Sequence, residues 1–201
     1  MSRLPSPPRL ILASSSPYRR ELLSRLRYPF DVAVPDIDES PYPGEDAPAT
    51  AMRLAREKAM AVARSHLGSV VIGSDQVAVC DAQQLGKPGD HTHALAQLQF
   101  MRGKTVRFHT AVCVLHRDGV HYEQADIITD VSFRNHSDAV LNAYLMAETP
   151  YDVAGSAKVE GFGIALLERV QSDDPTALVG LPLIAVTAML ERAGIDLFSE
   201  P

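Results

Sequence analysis

The chain has 201 residues, 46% of them hydrophobic and 22% charged, close to an ordinary globular balance, which excludes extensive disorder. A chain of this length buries roughly 70% of its unfolded surface, so its core needs neither disulfides nor a structural metal. The net charge of −6 argues against a long nucleic acid as partner but leaves room for a small phosphorylated ligand held by a few local cations.

Residues 1–8 read as an N-terminal tail and residues 9–198 as one domain, with room for two closely packed lobes. Residues 9–13 read as a short buried strand. Ser14-Ser15-Ser16-Pro17 then signals a helix start, because serine caps free amides and proline tolerates the first helical position. Phe30 to Val34 is a second strand, leading into the acidic loop Asp36-Ile37-Asp38-Glu39. A Pro- and Gly-rich surface loop, residues 41–48, precedes a helix over about 49–66.

Ser69 to Ile72 reads as a central strand ending at Gly73-Ser74-Asp75, with residues 76–80 continuing extended. Leu85-Gly86-Lys87-Pro88 is a turn, and Asp90 caps a helix reaching about Met101. Residues 105–133 are extended, with a hairpin turn at Arg117-Asp118-Gly119. Ser137 opens a helix to about Ala147, a strand lies around 163–167, and a last helix spans about 181–193. Helices interleave with strands of both kinds, so the fold class is α/β with a mixed central sheet and flanking helices.

Cys80 and Cys113 both lie in apolar runs and read as buried free thiols. No apolar stretch approaches the roughly 20 residues that span a membrane, and Met1 to Pro8 does not resemble a signal peptide. A cytoplasmic protein without a membrane partner is expected.

The strand-to-helix junction at Ser14-Ser15-Ser16 suits phosphate, since a helix N-terminus presents free amides and partial positive charge. Arg19 and Arg20 oppose that dipole, a conflict a bound anion would relieve; a capped helix with solvated arginines is the alternative. Asp75, just beyond a buried strand, needs a metal, a cation or a catalytic water as partner, unless it simply caps a turn. Glu39 could supply a second metal carboxylate, or belong to a merely solvated loop. Magnesium takes one or two carboxylates together with waters and phosphate oxygens. Lys58 and Lys87 could each neutralise a triphosphate. The histidines form no metal pattern, and no nucleophile elbow is present.

In their order and spacing, these segments resemble the Maf-like nucleoside triphosphate pyrophosphatases over nearly the whole chain, from Leu10 to about Leu197. The matching segments are Leu12 to Arg20, Asp38-Glu39-Ser40, Ala55 to Ala59, Ile72 to Gln76, Gly86-Lys87-Pro88, His109-Thr110, Ala154-Gly155-Ser156, Glu160 to Gly163 and Val179 to Leu183. The resemblance implies two lobes around a cleft in a Maf/ITPase-like fold, a divalent metal cation (Mg or Mn), and hydrolysis to a nucleoside monophosphate and diphosphate. It makes Asp75 the base that activates water and a metal carboxylate together with Glu39. Ser14, Arg19, Arg20, Lys58 and Lys87 match phosphate-binding positions. By the same analogy the partners are a small nucleotide and, in a homodimer, a second copy of the chain.

Within the family the chain is most similar to the 7-methyl-GTP pyrophosphatases, through Tyr18, Gln76 and Glu160. Relatives that cleave dTTP and UTP carry Arg, Thr and Gln at these places, and Tyr18 stands where 7-methyl-GTP relatives have Trp. Methylation at N7 leaves guanine cationic, and an aromatic face and a carboxylate both suit a cationic ring. The alternatives are another nucleotide substrate, such as dTTP or UTP, or a non-catalytic nucleotide-binding regulator.

Overall fold

The computed structural model describes residues 8–116 and 121–198. The turn expected at Arg117-Asp118-Gly119 lies outside the described residues, as do residues 1–7 of the expected tail. The strands are β1 (Leu10–Ala13), β2 (Phe30–Ala33), β3 (Val70–Cys80), β4 (Gln83–Leu85), β5 (Thr105–His116), β6 (His121–Phe133) and β7 (Leu167–Ser172). The helices are α1 (Pro17–Ser24), α2 (Ala47–Ala63), α3 (His91–Met101), α4 (Asp138–Glu148) and α5 (Leu183–Arg192). The strands form one sheet ordered β2-β1-β3-β5-β6-β7, with β4 paired to β3 off that path. β1 is parallel to β2 and β3, and the remaining pairs are antiparallel, so the sheet is mixed as expected.

Alternation along the strands assigns each side chain to a layer. Leu10, Leu12, Val70, Ile72, Val112 and Val114 face Leu22 and Leu23 of α1 and Val186, Met189 and Leu190 of α5. Ile11, Ala13, Val71, Ala111 and Cys113, on the opposite face, pack under α2. Further along β3 and β5, on the α1/α5 face, Ala78, Cys80, Val106 and Phe108 meet α3 and α4. Two helical groups therefore share one face of the sheet. Ser74 and Gln76 of β3 and Thr110 of β5 lie in the rows between them, polar where the apolar layers part.

Two expected caps hold, at Ser16 and Asp90, and Asp46 supplies a third that was not expected. Ser16, Asp46 and Asp90 accept from the amides of Arg19, Ala49 and His93. Asp46 starts α2 at Ala47, two residues before the expected start, and α2 ends at Ala63, where Ser65 and His66 turn back to Val62 and Ala63. Ser137 precedes α4 without a side-chain cap bond. The strand expected around 163–167 is instead a 3-10 turn, Phe162–Leu166, followed by β7. The amides of Gly161 and Gly163 both bond to the carbonyl of Lys158, which curls the chain away from a ladder.

Arg53 anchors α2 to the preceding loop. Its guanidinium donates to Glu45 at 2.7 and 2.8 Å, to Glu57 at 3.0 Å and to the Ser40 carbonyl at 3.0 Å. These bonds hold the Glu45 carboxyl down at about 2, against an ordinary 4.5. The stabilisation is thus complete above pH 4.5 and is lost as pH falls towards 2. Arg53→Met is expected to lower the melting temperature at pH 7 by about 5–10 °C, since it strands two carboxylates. The difference from wild type should shrink on acidification below pH 4; a constant difference would assign the loss to packing. Both cysteines are free and buried, and burial pushes the Cys113 thiol up to about 12.

Candidate active site

α2 lies unusually close to the sheet. Ala51, Ala55 and Ala59, each 0% exposed, present a smooth stripe, and opposite them β3 carries Gly73, which has no side chain to hold the helix off. That approach lets buried Lys58 reach across to β3. Its ammonium donates to Asp75 Oδ1 and to Glu39 Oε2, each at 2.7 Å. One cation therefore joins the two carboxylates, and the partner that Asp75 requires is a lysine. Glu39 alone of the acidic loop is drawn onto this centre, and its side chain stays largely exposed.

Asp75 is not at a strand end. It lies inside β3, which β5 supports from Val71 to Val79. What ends there is β1, whose last residue, Ala13, pairs with Gly73. Two residues further, Asp75 stands at the margin that β1 has left, and the chain departing from β1 forms the opposite wall. There the Ser14 hydroxyl accepts from the Ser16 amide at 3.1 Å, and Ser16 caps Arg19. The amides of Ser15 and Tyr18 have no acceptor among the described residues.

Arg19 turns inward, its Nε donating to the Gly180 carbonyl at 2.8 Å, and Ser74 donates to the same oxygen at 2.9 Å. Burial lowers the Arg19 pKa, while the charges of Asp75 and Glu39 oppose that shift. Arg20 differs from the expectation. One residue on, a helical step of about 100°, it is exposed and lies outside the cavity lining.

A cavity of about 780 Å³ joins these groups to a second set. Ser14, Arg19, Glu39, Lys58, Asp75 and the exposed Lys87 line it, together with Tyr18, Gln76 and Glu160. Lys158 Nζ stands 5.6 Å from the centre of the Tyr18 ring and 3.3 Å from Glu148. Glu148 also accepts from the Phe162 amide at 3.0 Å, and the Tyr144 hydroxyl accepts from the Lys158 amide at 2.9 Å. The end of α4 thus pins the loop that carries Glu160. Sequence reasoning missed Glu148 and Tyr144, because nothing local marks a helix residue as the anchor of a loop more than ten positions away.

Residues 9–193 match the family model described as Maf-like protein. The chain belongs to the Maf family. Among its curated relatives, the 7-methyl-GTP pyrophosphatase of Cupriavidus metallidurans is 66% identical, covering 95% of this chain and 96% of that protein. The 7-methyl-GTP pyrophosphatase of Ralstonia nicotianae is 62% identical, covering 96% and 99%. A solved structure of a HAM1 protein from Coxiella burnetii aligns with a TM-score of 0.43 and 13% identity, over 64% of this chain and 74% of that one. That partial likeness carries nothing about function.

In this Maf-family cleft the donor set fits a hard divalent cation. Lys58 takes one oxygen of each carboxylate, and Asp75 Oδ2 and Glu39 Oε1 have no partner among the described residues. Among the described residues no group of three or more His, Cys, Asp or Glu is placed to hold a metal. Water and phosphate oxygens would complete the shell, as suits magnesium. No helix among the described residues is long and apolar enough to cross a membrane.

Proposed function

We propose that this Maf-family protein hydrolyses 7-methyl-GTP to 7-methyl-GMP and diphosphate. The observation that carries this reading is one cleft lined by two chemically distinct sets of groups. Lys58 joins Asp75 and Glu39, with Arg19 in the same lining, and Tyr18, Gln76 and Glu160 line the cleft with them. The first set suits phosphates and the second a cationic base. Relatives more than 60% identical over nearly their whole length are named 7-methyl-GTP pyrophosphatases, which supports the same substrate. The soluble nucleotide pool places the reaction in the cytoplasm, and residues 9–198 act as one catalytic unit.

In the reaction a water attacks the α-phosphorus in line with the bond to the α–β bridging oxygen. Asp75 takes the water's proton as the new P–O bond forms, and the old bond breaks to release diphosphate. Lys58 holds the Asp75 carboxylate in place. Arg19 and Lys87 offset the charge of the leaving group, and the serine-lined start of α1 offers its free amides to phosphate oxygens. A divalent cation held by Asp75 and Glu39 would add further charge neutralisation at the phosphates.

The test is a panel of 7-methyl-GTP, GTP, dTTP and UTP with chromatography of the products. Diphosphate and 7-methyl-GMP are the expected pair; orthophosphate and a diphosphonucleoside would overturn the position of cleavage. Glu160→Gln is expected to reduce the preference for 7-methyl-GTP over GTP by about tenfold, the loss of one charge-assisted contact. An unchanged ratio would remove Glu160 from base recognition.

A further inference from the structure

Gln76 is held in a way that decides which end of its amide meets the ligand. Its Nε2 donates to the Thr110 hydroxyl at 2.9 Å and to the carbonyls of Ala177 and Leu178 at 3.1 Å each. The two carbonyls can only accept, so the group facing them must be the NH₂. Thr110 in turn donates its proton to the Ala177 carbonyl at 3.0 Å, which leaves its oxygen as an acceptor for Gln76. Thr110 is 0% exposed and sits directly opposite Gln76 in the β3–β5 register. Every donor of the amide is spent on the protein.

The Oε1 of Gln76 has no partner among the described residues, where the single buried side-chain polar atom left unpaired is Asp126 Oδ1. Gln76 Oε1 is therefore open, and Gln76 lines the cleft. The cleft offers the base an acceptor at Gln76 and a second acceptor at the Glu160 carboxylate.

We infer that Thr110 is a positioning residue for base recognition. Its hydroxyl locks the Gln76 amide so that Oε1 faces the ligand, and this selects a base edge that presents two N–H donors. The inference rests on the substrate reading above. A guanine-type edge, with a ring N–H beside an exocyclic amine, supplies that pattern, whereas a uracil-type edge has one N–H between two carbonyls. Without the Thr110 hydroxyl, Gln76 loses one acceptor and its amide is held by the two carbonyls alone, so its plane can swing and carry Oε1 off the donors of the base.

The experiment compares wild type, Thr110→Val and Thr110→Ser on 7-methyl-GTP and on 7-methyl-ITP, which lacks the exocyclic amine. Wild type is expected to favour 7-methyl-GTP by about tenfold, one hydrogen bond to a charged or oriented acceptor. Thr110→Val is expected to raise KM for 7-methyl-GTP about tenfold with kcat changed less than threefold, and to erase most of the preference between the two. Thr110→Ser, which keeps the hydroxyl, should return both values to within about twofold. Unchanged KM and preference in the valine variant, or a serine variant as impaired as valine, would overturn the role of Thr110. Thr110→Ala replaces the valine variant if thermal melting shows that the latter does not fold. If wild type turns over a different nucleotide instead, the substrate reading fails by itself, and the valine–serine contrast in KM on that nucleotide still decides whether Thr110 orients Gln76.

Discussion

Asp75→Asn is expected to lower kcat by about a thousandfold while the melting temperature stays within a few degrees of wild type. The magnitude is that of a positioned general base, commonly a hundred- to ten-thousandfold. The substitution keeps size and shape and leaves an amide oxygen to accept from Lys58, which also retains Glu39 at 2.7 Å. What it removes is the carboxylate proposed to receive the proton of water. Single-turnover hydrolysis followed by diphosphate release is the measurement. Activity above a few percent of wild type would move the base elsewhere, with Glu39 next in line. Glu39→Gln then separates the two, because Glu39 is exposed and its removal threatens the fold least.

Gly73→Ala is expected to destabilise the protein by about 3 kcal/mol or more and to abolish activity in whatever remains folded. A β-carbon at that position would lie 2.1 Å from the Ala55 carbonyl oxygen and 2.7 Å from the Ala59 amide nitrogen. Both are helix backbone, so no side chain can swing aside, and overpacking of a core already costs about 1–3 kcal/mol where side chains can yield. Either α2 retreats or β3 bows, and in both cases Lys58 is carried away from Asp75. Urea unfolding and turnover test this, with Gly86→Ala as a control for stability alone, because its added carbon would meet no protein atom. A variant as stable and active as wild type would show that the close approach of helix and strand is not needed.

Much of this arrangement was legible in the sequence where short-range signals carry it. Ser16 and Asp90 announce their helices through side chains that bond three residues on. The apolar runs at 9–13 and 69–72 mark the buried strands at the middle of the sheet. Tyr18, Gln76, Glu160 and Asp75 all meet in one cavity, as the resemblance implied. The β3–β4 hairpin was not legible, because Asp81 and Ala82 take positive φ values where Asn-Gly or Gly-Gly would be expected. Asp75 read as a strand end because Gly73 breaks the apolar run, although the ladder to β5 carries β3 through it. Arg20 read as a partner of Arg19 because adjacency in sequence hides the rotation between neighbouring helix positions.

The segment from Asp174 to Gly180 had no sequence signature before Val179, since what it contributes is main-chain oxygen. The Ala177 and Leu178 carbonyls take Gln76, and the Gly180 carbonyl takes both Ser74 and Arg19. Buried Asp174 ties the segment down by accepting from Thr176 and from the amide of Ile184. Exchanging the side chains of Ala177, Leu178 or Val179 leaves the bonding oxygens where they are, whereas losing or gaining one residue would misalign the holds on Gln76, Ser74 and Arg19 together. Deleting one residue between Ala177 and Gly180 is therefore expected to cost more activity than any single side-chain exchange at Ala177, Leu178 or Val179.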